Sequence, residues 1–266
     1  MVKLSIIISY YKALDNLKLI LEALNHQSSK EFEAIISEDD SNQETIDFLK
    51  SDSDNYNFPI LHVNQEKDDG FRKTMMLNKS IRASNAETLV FIDGDCIPHK
   101  HFVTAYINNI EEGLMLKGRR VMLGEKITDK ITTNKTIKPL STLSVLFSDS
   151  DKKKEGIYLK NKSLIVTMKD KGLLGCNWGI QKKHLIAING FDEDYVRAAV
   201  GEDTDIEWRL KRIGIGSKSM KNKAIVYHLH HERGYSNEGV EMNRVLLKEK
   251  MDKDLYICLN GLEKHS

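Results

Sequence analysis

Leu89-Val90-Phe91-Ile92-Asp93-Gly94-Asp95 is an apolar run that ends in two carboxylates separated by one small residue. It predicts a strand over Thr88–Asp93 with its acids at the carboxyl end, where ligands gather in open α/β sheets. Two carboxylates there suit a hard divalent cation, Mn²⁺ or Mg²⁺, which can also bridge diphosphate oxygens. A solvated turn explains the same three residues without chemistry, because Asp-Gly-Asp favours turns.

Upstream of this strand, short apolar runs alternate with helical periodicity, the pattern of a largely parallel sheet with helices on its faces. Leu4–Ser9, Ala34–Glu38 and Ile60–Asn64 are the other early strand candidates. Leu17, Ile20, Leu21 and Leu24 place one apolar stripe on a helix after Asp15. Ser41 and Glu44 have capping-box spacing before a second helix, and Leu77 and Ile81 belong to a third. From about Val121 to Lys171 the periodicity weakens around the apolar patch Leu140–Phe147, as in a variable excursion or lid. Order returns in a helix over Gly201–Gly214, a strand over Ala224–Leu229 and a closing amphipathic helix over Asn237–Lys250. The fold class is α/β, with a Rossmann-like, mostly parallel central sheet flanked by helices.

With 266 residues, 40% of them hydrophobic, the chain suits one large domain. Its 40 Lys plus Arg against 39 Asp plus Glu leave a net charge of +1, so no global field argues for nucleic-acid binding. Cys96, Cys176 and Cys258 form an odd, widely spaced set without a CxxC pair, which argues against a disulfide framework or a zinc cluster and fits a reducing cytoplasm. No apolar stretch approaches the roughly 20 residues of a membrane span. Membrane contact, if any, is peripheral, through Leu140–Phe147 and the nearby Lys152–Lys154.

Two further clusters carry chemistry. Gly201-Glu202-Asp203-Thr204-Asp205 opens a helical pattern; helix-capping accounts for one or two of its acids, and Asp203 is the candidate general base. In Tyr227-His228-Leu229-His230-His231 an alternating strand would put His228 and His230 on one face, and three histidines in four residues raise the odds of metal ligation. His228 is favoured because it most directly follows the apolar run.

Taken in order, these motifs resemble those of the family 2 glycosyltransferases of the GT-A fold. Ser5–Lys12 is similar to that family's first strand and donor loop, Ile36–Ser41 to its acidic second-strand motif, and Asp93-Gly94-Asp95 to its DxD signature. Gly175–Gly179, Gly190–Glu193 and Gly201–Asp203 resemble its acceptor-side series ending in the Glu-Asp pair. The resemblance implies a nucleotide-sugar half over 2–126, a variable excursion or lid over 127–171, an acceptor and catalytic half over 172–236 and a helical tail over 237–266. It also implies donor contacts from Ser9, Glu38, Asp39, Arg72 (or Lys73 beside it), Asp93 and Gly94, with Asp39 accepting from the uracil N–H. Acceptor contacts would come from Asn177 and Trp178, metal ligands from Asp93, Asp95 and His228, and catalysis from Asp203 with Glu202. Two features depart from the family pattern: Glu38-Asp39 stands where Asp-Asp is commoner, and the excursion has no counterpart.

The expected activity is inverting transfer of a hexose from a UDP-sugar to a hydroxyl of a glycan or lipid-linked acceptor, with Mn²⁺ or Mg²⁺, in cell-surface polysaccharide synthesis. A non-catalytic nucleotide- or glycan-binding module would be expected to have lost a metal, base or donor position. A sugar nucleotidyltransferase would carry a Gly-rich basic loop near its start, and Ser5–Leu14 contains no glycine.

Overall fold

The computed structural model describes residues 1–160, 171–198, 201–232, 234 and 236–265. Among the described residues, ten strands run in chain order as β1 (Leu4–Tyr10), β2 (Phe32–Glu38), β3 (Ile60–Asn64), β4 (Thr88–Asp93), β5 (Cys96–Pro98), β6 (Leu114–Lys117), β7 (Arg119–Met122), β8 (Asn177–Gln181), β9 (Gly216–Ser219) and β10 (Ile225–His228). A seven-stranded sheet has the order β3-β2-β1-β4-β8-β6-β9, and a three-stranded sheet the order β5-β10-β7. β3, β2, β1 and β4 are mutually parallel, whereas β8 runs antiparallel to both β4 and β6. The four early strands lie where the apolar runs predict them.

The near-continuous apolar character of β1, β2 and β4 follows from burial on both faces. Ile6, Ile8, Ile36, Val90 and Ile92 pack with Leu17, Ile20, Leu21 and Leu24 of the helix Leu14–Asn25. Ile7, Ile35, Leu89 and Phe91 pack on the opposite face with Leu77, Ile81, Ile206 and Leu210. The second-strand helix, Gln43–Asp52, is capped by Asn42 accepting from the Thr45 N–H rather than by the expected Ser41–Glu44 box.

Trp178 is not offered to a sugar. It is 1% exposed and stacks on Phe91, its cross-strand partner, with ring centroids 4.5 Å apart. Asn177 is also enclosed: it accepts from the Tyr106 hydroxyl at 2.7 Å and donates to the Arg119 and Ala224 carbonyls. These contacts hold β8 to its neighbours, so both acceptor-side expectations are corrected to structural roles. The resemblance implies a sugar-facing Trp178, but the antiparallel strand β8 between β4 and β6 turns it inward.

Residues 161–170 of the expected lid lie outside the described residues. The rest of the excursion contains the helices Glu125–Asn134 and Thr142–Leu146 and a 3₁₀ turn over Lys153–Gly156, and Ile127, Ile131 and Val145 are buried. Leu143 and Phe147 stay exposed. The C-terminal helix, Asn237–Asp252, buries a polar side through Asn243 and Lys250, the latter donating to Asp192 and Asp194, while Met242, Val245 and Met251 face outward. The expected amphipathic helix thus buries polar Asn243 and Lys250, with Val240, Leu246 and Leu247 half-buried. No described helix is long and apolar enough to cross a membrane.

Removing the stacked indole leaves a large cavity, so Trp178→Ala should lower unfolding free energy by about 3–5 kcal/mol in denaturant titration. An unchanged midpoint would return Trp178 to the sugar-facing role.

Candidate active site

At the carboxyl ends of β1, β2 and β4 the chain leaves two adjoining cavities of about 680 and 980 Å³, which share Tyr11, Phe71, Lys73, Asp93, Asp95 and His231 in their walls. The turn after β4 lets one segment serve both. The Gly94 N–H donates to the Ser9 carbonyl at 2.6 Å, and a Cβ on Gly94 would sit 2.9 Å from that same oxygen. Glycine is needed here for close approach, and the two acids on either side of it point to different partners.

Asp93 turns toward Lys73, whose ammonium donates to Asp93 Oδ1 at 3.1 Å and to Glu202 Oε1 at 3.3 Å. Burial works against the charge on Lys73, but the carboxylates of Asp93 and Glu202 outweigh it and hold the amine above its ordinary range. Burial pushes the Glu202 carboxyl up, against the opposing pull of Lys73. Asp203 is partly exposed and, among the described residues, accepts from the N–H groups of Gly175 and Thr204, at 3.3 and 2.9 Å. Asp205, the third acid of the cluster, is 1% exposed and paired with Arg209 at 2.7 Å, which gives it a structural role.

Asp95 faces two imidazoles. Its Oδ2 lies 3.3 Å from His228 Nε2 and 3.0 Å from His231 Nε2, and the two rings stack with centroids 5.1 Å apart. Each ring is oriented from its far side, His228 Nδ1 donating to the Leu229 carbonyl and His231 Nδ1 to the Glu232 carbonyl. The hydrogen bond to Asp95 lifts His231 to about 9, whereas burial lowers His228. Burial raises Asp95, but the His231 hydrogen bond and the charge of His228 win and lower it overall. The strict alternation expected of this segment fails because β10 ends at His228; the chain then turns, and His231 rather than His230 returns to Asp95. The expected pair His228 and Asp95 is brought together, and His231 joins it.

On the donor side, Ser9, Ser37 and Asp39 line the smaller cavity with Tyr10, Tyr11 and Phe71. Asp39 accepts from the Arg72 backbone N–H at 2.9 and 3.0 Å and from Gln65 Nε2 at 2.6 Å, and burial pushes its carboxyl up to about 6. Glu38 departs from its expected donor contact. Strand alternation sends it to the other face of β2, where it meets His62 Nε2 at 2.6 Å, fully buried. Arg72 departs as well: its guanidinium binds Asp69 and the Phe71 carbonyl, and Lys73 rather than Arg72 lines both cavities. Arg120, in the wall of the larger cavity, carried no sequence signal beyond its charge; its Nη1 donates to Cys176 Sγ, and its buried Nε has no partner among the described residues.

The model of glycosyl transferase family 2 matches residues 5–186, which takes in β1 to β8 and the Asp93-Gly94-Asp95 turn. The chain belongs to this family. A second model, described as the N-terminal domain of galactosyltransferase, matches residues 157–232. A search of curated protein sequences finds no match. Among solved structures, the fold is similar to mannosyltransferase PcManGT from Pyrobaculum calidifontis, in complex with GDP-Man and Mn²⁺, at 14% identity and a TM-score of 0.58 over 88% of this chain and 58% of that one. It is similar to S. aureus TarS at 16% identity and a TM-score of 0.59, covering 94% of this chain and 39% of TarS. GalNAc-T7 with UDP, GalNAc and Mn²⁺ gives 12% identity and a TM-score of 0.62, with 94% and 48% covered. The chain thus spans 39–58% of the length of these structures. At these identities the likeness establishes the GT-A glycosyltransferase fold, with its mostly parallel central sheet flanked by helices.

The close approach at Gly94 gives a direct test of the family 2 turn. Gly94→Ala must displace the Ser9 backbone, and should cost about 1–3 kcal/mol in unfolding free energy, the usual penalty of overpacking. Wild-type stability would show that the turn is looser than described.

Proposed function

We propose that this family 2 glycosyltransferase moves a hexose from a UDP-sugar to a hydroxyl of a glycan or lipid-linked acceptor with inversion, in cell-surface polysaccharide synthesis. One observation carries the reading. Asp95 and two oriented imidazoles line the larger cavity together with the Lys73–Glu202 pair, and Asp203, next to Glu202 in the chain, lines a small pocket that shares Ser9, Lys73 and Glu202 with the two cavities.

The donor set at Asp95 fits a divalent cation. One carboxylate oxygen and two ring nitrogens converge, and each ring's other nitrogen is engaged by a carbonyl, the arrangement that fixes a ligating histidine. Asp95, His228 and His231 would hold Mn²⁺ or Mg²⁺, with Asp93 committed to Lys73. Bound there, the ion would supply positive charge where the diphosphate leaves. The neighbours PcManGT and GalNAc-T7, solved with a nucleotide or nucleotide sugar and Mn²⁺, support this reading by analogy.

The protein's own groups do the rest. Asp39 accepts from the uracil N–H, and Tyr11 and Phe71 flank that end of the cleft. Glu202 is committed to Lys73, so it positions rather than reacts. Asp203, lightly held and partly exposed, takes the proton from the acceptor hydroxyl as that oxygen attacks the anomeric carbon opposite the leaving group. A single displacement turns an α-linked donor into a β-linked product.

Asp203→Asn should lower transfer by roughly 10²–10⁴-fold while calorimetric UDP affinity holds. EDTA should stop transfer in the wild-type protein, and Mn²⁺ should restore it. Near-normal transfer in Asp203→Asn would move the base to Glu202, and full turnover in excess EDTA would remove the metal.

Asp39 accepts from uracil more strongly when ionised, so its raised pKa sets a pH window. Affinity for free uridine, which has no phosphates to involve the metal site, should be constant between pH 7 and 8 and fall as pH drops through about 6. Asp39→Asn should show weak, pH-independent binding; an unchanged uridine affinity at pH 5 in the wild-type protein would dissociate Asp39 from the base.

The exposed Leu143 and Phe147, with Lys152–Lys154 nearby in sequence, support peripheral contact with an anionic membrane bearing the acceptor. Co-flotation with anionic liposomes should occur at low salt and be lost in Leu143→Ser/Phe147→Ser; flotation unaffected by that change would discard the patch.

A further inference from the structure

The excursion that has no counterpart among the family motifs supplies one wall of the larger cavity. Met122, the last residue of β7, exchanges two backbone hydrogen bonds with Asp151: its N–H donates to the Asp151 carbonyl at 3.1 Å, and the Asp151 N–H donates back at 2.7 Å. Residues directly opposite in such an antiparallel bridge project from the same face. The parallel register of β7 with β10 sets Met122 beside His228 as well. His228, Met122 and Asp151 therefore stand in one row on the face that lines the cavity, and two spacings of about 5 Å carry Asp151 about 10 Å from His228. One sugar ring can lie over Met122 between them.

The two ends of this row differ in how their charges are engaged. On the His228 side, Asp93, Asp95, Glu202 and Arg120 all have side-chain partners. Asp151 is exposed, and its carboxylate, like the Glu125 carboxylate and the His230 imidazole in the same wall, has no hydrogen-bond or ion-pair partner among the described residues. Its backbone is nonetheless fixed by the bridge to Met122, and nearby Asp149 ties the segment to the Lys126 N–H at 3.0 Å. A carboxylate held in place with free lone pairs is suited to receiving hydroxyl groups.

We infer that Asp151 binds the acceptor sugar, its carboxylate accepting from ring hydroxyls of a neutral glycoside laid over Met122, in the cavity that Asp95 and Glu202 also line. The inference rests on the proposed transfer reaction and names the residue and the class of sugar on its acceptor side. Glu125, Asp149 and Asp151 outnumber Lys152 in this wall, so a uronic acid acceptor is repelled where a neutral hexose is held.

The test uses the whole protein with Mn²⁺ and whichever of UDP-glucose, UDP-galactose, UDP-N-acetylglucosamine and UDP-N-acetylgalactosamine it consumes, and follows UDP release in water alone and with p-nitrophenyl glycosides. Asp151→Ala should raise the KM for a neutral p-nitrophenyl hexoside about tenfold or more, as expected for a lost hydrogen bond to a charged group, with kcat nearly kept. Asp151→Asn should recover part of that loss, because the amide oxygen still accepts, and should narrow the wild-type preference for hexosides over p-nitrophenyl hexuronides. Asp129→Asn, exposed and outside the cavity, should change neither. An unchanged KM in Asp151→Ala overturns the inference, and so does a fall in UDP release without any glycoside, which would put Asp151 on the donor side. A wild-type protein that favours hexuronides overturns the neutral-sugar assignment. If the wild-type protein consumes none of these donors, the transfer reading fails by itself. In that case, or if no hexoside is accepted, saturation-transfer NMR of p-nitrophenyl hexosides decides the subsite: signals lost in Asp151→Ala support it, and equal signals in the two proteins refute it.

Discussion

The Lys73 ammonium is caught between Asp93, at the end of β4, and Glu202, at the start of the helix Glu202–Arg212. Without a cation between them, two carboxylates from distant parts of the chain would face each other across a partly closed cavity. Taking the amine out of water is costly, but removing one partner of such a cluster is costlier, because the remaining charge stays buried. This ion bridge ties the second acidic cluster to the carboxyl end of β4, and Glu202 thereby lines the same cavity as Asp95.

A second constraint acts at Gly94. The chain must pass close enough to Ser9 for the Gly94 N–H to reach its carbonyl, and must then enter β5 of the small sheet at Cys96. The acids on either side of the glycine therefore serve different neighbours, Asp93 the lysine and Asp95 the imidazoles. The pairing of β5 with β10 sets the thiol opposite His228, and the Leu229 N–H closes the arrangement by donating to the Asp95 carbonyl. The hydrogen bond to Asp95 raises His231 to about 9.

Several residues beside the site serve the frame instead. Asp205 and Arg209 form a buried pair, and Arg209 also donates to the Ile188 and Gly190 carbonyls, fixing the Asn189-Gly190 turn. Asn189 sits at a φ of 63° and binds the C-terminal segment through Cys258 and Glu263. These contacts, with the Lys250–Asp192 pair, account for Gly190 and Asp192, which sequence similarity alone groups with the acceptor-side motifs, and for Asp205.

The sequence by itself determined the four parallel strands, the helix stripe at Leu17–Leu24, the family and the three places where chemistry concentrates, because period and order along the chain are local properties. Hydrophobic periodicity records that a face is buried, and a carboxylate pair at a strand end records where a ligand site opens. Neither records what a side chain meets across space. Only the tertiary structure decided that Trp178 and Asn177 are enclosed by an inserted antiparallel strand, that Glu38 turns to His62, and that Lys73 rather than Arg72 enters the cleft. It also decided which of three neighbouring histidines joins His228, because the imidazole that returns to Asp95 depends on where β10 stops and how the chain turns after it, a matter of packing against β5 and β7 rather than of spacing.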